Sequence, residues 1–356
     1  MFNLSTKSKF IIGSIISKTL LFFLGDKKRV INRNNIKYEI DLKEGVDLGI
    51  FLGIKNEKNL FKIKNYIDPK KKNIIVDIGA NIGSVSLPLA KLFNSSTIIS
   101  VEPTYYAFSK LKRNLNLNPN FKKRVRLYNT FISNKKRKIN FIHSSWNFSS
   151  GSKKHKVHRG ILKEASNKTQ SLSELIKKQK RKIDLIKIDV DGYEIDVLRS
   201  GKEIIKKYKP VIYFELAPYL YKEFGYSSKI LINFIKRDMS YLFFDENFNE
   251  VKNINEIGYG VDASEMDTHC WRCGHEEPAV QKCHVIPYSL GGKDEPSNFR
   301  LFCYSCHLEQ PNVKDYEETD KWVRETSVGT YNTFWKIRKI HSSLYNEVTN
   351  HRYIIR

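Results

Sequence analysis

Five short apolar runs give the middle of the chain its pattern: Asn73 to Asp77, Ile98 to Glu102, Val125 to Phe131, Ile183 to Asp189 and Val211 to Leu216. Continuous runs of strand length indicate strands buried on both faces, and the helically spaced stretches between them supply the crossovers that parallel strands need. The pattern predicts an α/β fold around a parallel sheet. After the first run a helix is expected from about Ser84 to Phe93, kinked at Pro88. The segment from His143 to Lys168 has no clear periodicity and is rich in Ser, Gly and Lys. It reads either as a lid on the acceptor side or as a mobile insertion.

The chain also begins with an apolar stretch, Phe10 to Leu24, FIIGSIISKTLLFFL. It is shorter than the roughly 20 residues that span a bilayer, Lys18 interrupts it, and LFFLGDKKR offers a poor cleavage site. Three readings stay open: a helix lying in the membrane interface, an ordinary packing helix and a cleaved signal.

Candidate chemistry sits where the runs end. The first leads into Asp77-Ile-Gly-Ala-Asn-Ile-Gly83, a glycine turn at a strand-to-helix junction that lets a ligand approach the backbone. Glu102 ends the second run in VEP, where a carboxylate can take both hydroxyls of a ribose. Together they point to an adenosine-containing ligand. NAD calls for G-x-G-x-x-G around its pyrophosphate, whereas the spacing here is Gly79-x3-Gly83 with Asn81 between, which fits S-adenosylmethionine better. Farther on, DLIKIDVDGYEIDVLRSG places Asp189 at a strand end and Asp191 in the following turn. Asp191-x-x-Glu194 is equally a capping-box pattern with Asp as cap. These carboxylates could also hold a divalent cation, and Glu215 is a further candidate on the same sheet edge.

The motifs VDIGANIG, VEP and IKIDVDGYEIDVLRSG resemble the FkbM family of S-adenosylmethionine-dependent methyltransferases over roughly residues 40 to 250. The resemblance implies a Rossmann-like methyltransferase fold and methylation of a hydroxyl on a sugar, glycan or related small molecule. It carries Asp77, Gly79, Asn81, Gly83 and Glu102 over as cofactor contacts and places Asp189 at the junction of cofactor and acceptor, where as the catalytic carboxylate it could take the hydroxyl's proton.

Composition divides the chain. Its 356 residues hold 62 Lys plus Arg against 38 Asp plus Glu. Residues 262–356 hold 12 and 14 of these, leaving 50 and 24, a net +26, for residues 1–261. The basic clusters of the first part read as solvated faces, with attraction to anionic lipid or glycan as the alternative. All five cysteines, Cys270, Cys273, Cys283, Cys303 and Cys306, lie in the second part. An odd number, four of them in two C-x-x-C pairs, points to metal ligation in a reducing compartment, with the cytoplasm, either at large or peripheral to the inner face of the membrane, as default. Residues 1–269 contain no Cys, which excludes C5-cytosine methylation by the first part. Asn118-Pro-Asn-Phe121 lacks the second Pro of the amino-directed DNA methyltransferase motif.

Cys270, Cys273, Cys303 and Cys306 form the expected tetrathiolate zinc site. Between and after them, CHVIPYSLGGKDEPSNFRLFCYSCHLEQPN resembles the HNH endonuclease family over about residues 265 to 312. That resemblance implies a zinc-bound ββα-metal unit with DNA as partner, in which His284 is the general base, Asn298 pins its loop and His307 binds a divalent cation. Cys283 stands where the family often has a carboxylate or His ligand, and a thiolate favours zinc or another soft ion over Mg²⁺. The expected organisation is an N-terminal segment at 1–39, a methyltransferase-like domain at 40–261, and an HNH-like zinc domain with a helical tail at 262–356. The tail, with Trp322, Trp335 and Tyr345, is expected to pack on the zinc unit.

Overall fold

The computed structural model describes residues 6–26, 28–54, 62–135, 139–149, 160–177, 179, 181–216, 218–221, 223–226, 228–244, 270–272, 280–293, 298–326 and 352–355. These fall into two units, one bounded by Ser8–Leu216, Ile235–Glu250 and Arg352–Arg356, the other by Met1–Lys7, Ala217–Phe234 and Val251–His351.

In the first unit, helix α1 (Thr6–Leu24) precedes a hairpin of β1 (Arg29–Arg33) and β2 (Ile36–Ile40). Asn34 and Asn35 both take positive φ, 50° and 60°, as a two-residue hairpin turn requires. The central strands are β3 (Ile74–Ile78), β4 (Thr97–Val101) and β5 (Val125–Tyr128). Next come β6 (Phe131–Ile132), β7 (Phe141–Trp146), β8 (Gly160–Glu164) and β9 (Thr169–Gln170). The sheet resumes with β10 (Leu185–Ile188), β11 (Val211–Glu215) and β12 (Phe243–Phe244). In the second unit β13 (Gln281–His284) pairs with β14 (Phe299–Phe302), and the chain returns to the first with β15 (Arg352–Ile355).

The seven-stranded sheet has the order β12-β15-β11-β10-β3-β4-β5. From β11 to β5 all neighbours are parallel, and β3 and β10 are buried along their whole length, as their continuous apolar runs require. Only β15 runs against its neighbours, between β11 and β12. The cysteine-rich segment therefore lies, in chain order, between the last two strands of this sheet; Trp322 of the tail packs on the cysteine cluster as expected, whereas the final residues of the tail join the sheet. Trp335 and Tyr345 lie outside the described residues.

Three further differences are local. The helix after β3 spans Ser86–Leu92, so Pro88 falls in its first turn, where a backbone N–H has no intrahelical partner and no kink is needed. The segment from His143 contains the antiparallel hairpin β7–β8, irregular between His143 and Trp146; residues 150–159 lie outside the described part. Asn118 is structural: its amide exchanges hydrogen bonds with the Lys37 backbone at 2.9 and 2.7 Å, docking β2 on the helix Tyr105–Asn116.

Candidate active site and metal centre

Asp77 and Lys187 are directly opposite each other in β3 and β10. Both side chains are buried, and Lys187 Nζ lies 3.1 Å from an Asp77 oxygen, 3.4 Å from Asp189 Oδ2 and 3.0 Å from the Gly79 carbonyl, to which it donates. Asp77 also accepts a 2.6 Å bond from Ser86 Oγ at the start of the next helix. A charge on a strand buried on both faces must be paired, so Lys187 ties three candidate residues together. It is the residue that sequence reasoning missed. The signal was a lysine inside an otherwise apolar strand, LIKI.

Gly79 has φ +79°, and a Cβ there would lie 1.8 Å from the Asp189 carbonyl oxygen. What demands glycine is thus the end of β10, not a ligand. Gly83 has φ +90°, and a Cβ would meet Leu111 at 2.8 Å, so this glycine serves helix packing. Asn81, also left-handed at φ 51°, donates its backbone N–H to Glu102 Oε2 at 2.9 Å and its side-chain amide to Ser145 on β7 at 2.5 Å. The hairpin is thereby fastened to the glycine turn.

Glu102 is buried. Its other oxygen accepts from the Thr104 N–H at 2.8 Å and the Thr104 hydroxyl at 2.6 Å. Of roughly four acceptor positions on a carboxylate three are used. Gripping both hydroxyls of a ribose would require the Thr104 hydroxyl to turn away. Burial raises the Glu102 carboxyl above its ordinary range, and its bonds to Thr104 and Asn81 and the Lys187 charge counter this only in part.

Asp189 is about one-third exposed, one residue past β10. Asp191 has φ 45° in a turn with Gly192 at φ 101°. Its side chain is exposed to solvent, although many protein atoms surround it. That enclosure, followed by repulsion from Asp189, Glu215 and Glu194, raises its carboxyl well above the usual range, with Lys187 opposing. Asp191 is not a helix cap: the helix Glu194–Ser200 is preceded by Tyr193 and has no side-chain cap, while Glu194 accepts from the Gly192 N–H at 3.1 Å. The structure thus gathers Asp77, Gly79, Asn81, Gly83, Glu102 and Asp189 around the ends of β3, β4 and β10. This donor set, a buried carboxylate at one strand end and partly open carboxylates at another, fits a ribose and a sulfonium cation.

In the second unit the sulfurs of Cys270, Cys303 and Cys306 lie within 4.8 Å of one another, all buried, a donor set suited to zinc. Cys273 lies outside the described residues. Cys303 Sγ accepts from the Cys306 N–H at 3.5 Å, and Arg272 lies 3.5 Å from Cys306 Sγ and 4.3 Å over the Trp322 ring. Cys283 is fully buried with the other cysteines. Burial, together with the charges of Cys270 and Cys303, pushes its thiol up to about 12. Successive strand residues face opposite ways, so Cys283 and His284 serve different sides of β13.

His284 packs on Phe299, ring centroids 4.5 Å apart. Asn298 binds both backbone groups of Ile286, at 2.8 and 2.9 Å, and the Lys293 carbonyl at 3.0 Å, closing the loop that follows His284. His307, on the short helix Tyr304–Leu308, has Nδ1 engaged with Gln281 at 2.6 Å, so Nε2 is the ring nitrogen that could meet a cation. Gln310 donates to the His284 carbonyl at 2.6 Å and fixes the end of that helix against β13.

A family model described as methyltransferase FkbM domain matches residues 77–254, and one described as HNH endonuclease matches residues 268–312. Ribosomal RNA small subunit methyltransferase A of Wigglesworthia glossinidia brevipalpis is 33% identical over 79 residues, 22% of this chain and 28% of that protein. The chain thus matches little more than a quarter of this curated relative. A solved structure of methyltransferase FkbM from Methylobacillus flagellatus KT is 18% identical, covering 49% of this chain and 39% of that one, with a TM-score of 0.34. Precorrin-6y C5,15-methyltransferase from Geobacter metallireducens GS-15 is 13% identical over 54% of this chain and 74% of that one, TM-score 0.32.

Proposed function

Because the chain belongs to the FkbM methyltransferase family, we propose that it transfers a methyl group from S-adenosylmethionine to a hydroxyl oxygen of a sugar, glycan or related small molecule. The observation that carries this reading is the buried Asp77–Lys187 pair, reaching the partly exposed Asp189, under a glycine turn that is bonded to Glu102. S-adenosylmethionine, when bound, supplies a methyl already activated on sulfur. What remains for the protein is to orient the acceptor and take its proton. Glu102 receives the ribose, Asn81 and Gly79 shape the turn around it, and the carboxylates at the β10 end face the cation. Asp189 accepts the acceptor's proton. In balance, the hydroxyl O–H bond breaks to Asp189, a C–O bond forms, and the C–S bond breaks to leave S-adenosylhomocysteine.

Calorimetric titration with S-adenosylmethionine tests the cofactor. Glu102→Ala is expected to weaken binding by about 10-fold or more, since a hydrogen bond to a charged group contributes roughly 1.5–3 kcal/mol. Unchanged binding sinks the reading. Transfer of labelled methyl to oligosaccharides, lost in Asp189→Asn while cofactor binding persists, tests the acceptor class.

The HNH match motivates a second activity, metal-dependent DNA cleavage with His284 as general base, Asn298 holding its loop and His307 ligating the cation. Incubating DNA with the protein and several divalent ions is expected to give cleavage that His284→Ala abolishes. Cleavage that survives the substitution, or none with any ion, removes this reading.

A further inference from the structure

Helix α1 has two apolar faces, and only one is used. The inner face is fixed to the unit's core. The buried Ser17 hydroxyl donates to the Leu42 carbonyl at 2.7 Å, and Gly13 lies so close to Phe148 that a Cβ would come within 2.9 Å of its ring. Phe10 packs against Trp146 and Phe148, and Ile16, Leu20 and Leu21 pack on the same core. Because these contacts set the helix's rotation, Ile11, Ile15, Lys18 and Phe22, spaced by three and four residues, form one outward line, with Ile12, Thr19 and Phe23 beside it. Phe22 is 83% exposed, Phe23 75% and Ile15 59%. Large apolar side chains clustered in water on a helix already anchored by its other face mark an interaction surface.

We propose that this outward face docks flat on an anionic phospholipid surface. The charge around it selects that occupant. The helix has no acidic residue and carries the exposed Lys18 on the outward line, from which its long stem can lift the ammonium to the headgroups. The nearest acidic side chain after it, Asp26, is paired with Lys43, and Lys28 lies exposed alongside. Residues 1–261 carry a net +26. No helix among the described residues is long and apolar enough to cross a membrane, so the face lies on the bilayer, Ile11, Ile15, Phe22 and Phe23 entering the acyl boundary while the basic side chains meet lipid phosphates.

The test uses the full chain and sedimentation with vesicles, either pure phosphatidylcholine or phosphatidylcholine containing one part in three of phosphatidylglycerol. Binding is expected to be at least ~10-fold stronger on the anionic vesicles and to weaken as salt rises. Phe22→Ser with Phe23→Ser is expected to reduce it by about 10-fold or more, because each buried aromatic adds substantially to interfacial affinity. Both residues are exposed, so melting temperature and S-adenosylmethionine affinity stay unchanged and report an intact fold. Three results overturn the proposal: no binding to either vesicle, anionic binding that the double variant retains, which would be general charge attraction, or a dimer in solution that the double variant dissolves, which would make the face a contact between two copies.

Discussion

Lys187 shows how a single side chain couples stability to the site. It is about 5% exposed, and Asp77 is fully buried. Removing one partner of a buried pair strands the other charge, so Lys187→Met is expected to cost about 3–5 kcal/mol, read as a lower urea midpoint. Asp77→Asn with Lys187→Met should recover most of that loss, because no fully buried charge is then left unpaired and Asp189, about one-third exposed, keeps its contact with water. Strictly additive losses would show that the two do not act as a pair. Glu102 gives a second residue-scale expectation. Its folded carboxyl is raised above the ordinary 4.5 by burial. For stability the sign is that its contribution is fully present below the unfolded value and is lost as pH rises through the raised one. Cofactor binding runs the other way, because the carboxylate is needed: S-adenosylmethionine affinity should fall as pH drops, beginning above 4.5. Glu102→Gln should flatten that dependence in the range above 4.5, measured by calorimetry. The acids at strand ends were legible in the sequence because apolar runs stop at them. The role of Gly79 was not, since the atom it makes room for, the Asp189 carbonyl oxygen, is more than a hundred residues away.

Among elements, the inner parallel strands could be read directly, since burial on both faces leaves an apolar run, whereas the run expected from Val125 to Phe131 divides into the half-exposed edge strand β5 and the separate β6, which pairs with β9. The β7–β8 hairpin could not. Its residues are mostly half-buried and its register is irregular, so neither a period of two nor an apolar run survives. Its place is set by distant partners, Ser145 to Asn81 and Lys163 to Glu44 at 3.0 Å. The cysteine unit is the opposite case, where spacing alone predicted the cluster of Cys270, Cys303 and Cys306. Its core is small, built around those cysteines with Trp271, Phe302 and Val323. Metal affinity in such units is folding energy. Stripping zinc with a strong chelator is therefore expected to abolish amide-exchange protection across 281–308 while S-adenosylmethionine affinity is unchanged. Protection that survives complete zinc removal would mean that the apolar core suffices.

At the scale of the whole chain, charge and topology cut it differently. The basic excess ends near residue 261 and the cysteines begin at 270, which makes the chain look like two segments end to end. The sheet disagrees, because Arg352–Ile355 pairs antiparallel with both β11 and β12. A four-residue strand so far from its neighbours leaves no periodic trace, which is why sequence could not reveal it. The HNH-like segment is thus threaded between two adjacent elements of the methyltransferase sheet. Ending the chain after residue 261 would remove the strand between β11 and β12 and leave both with unpaired backbone. That truncation is expected to lower the melting temperature by roughly 5–10 °C, from about 2–4 °C per kcal/mol for a domain of this size. Replacing residues 262–345 by a flexible Gly/Ser linker that keeps 346–356 should restore most of the loss. Calorimetric melts of the two shortened chains beside the full one decide the matter. Equal melting temperatures for both shortened forms would mean that β15 adds nothing to the sheet, and that the two segments are independent after all.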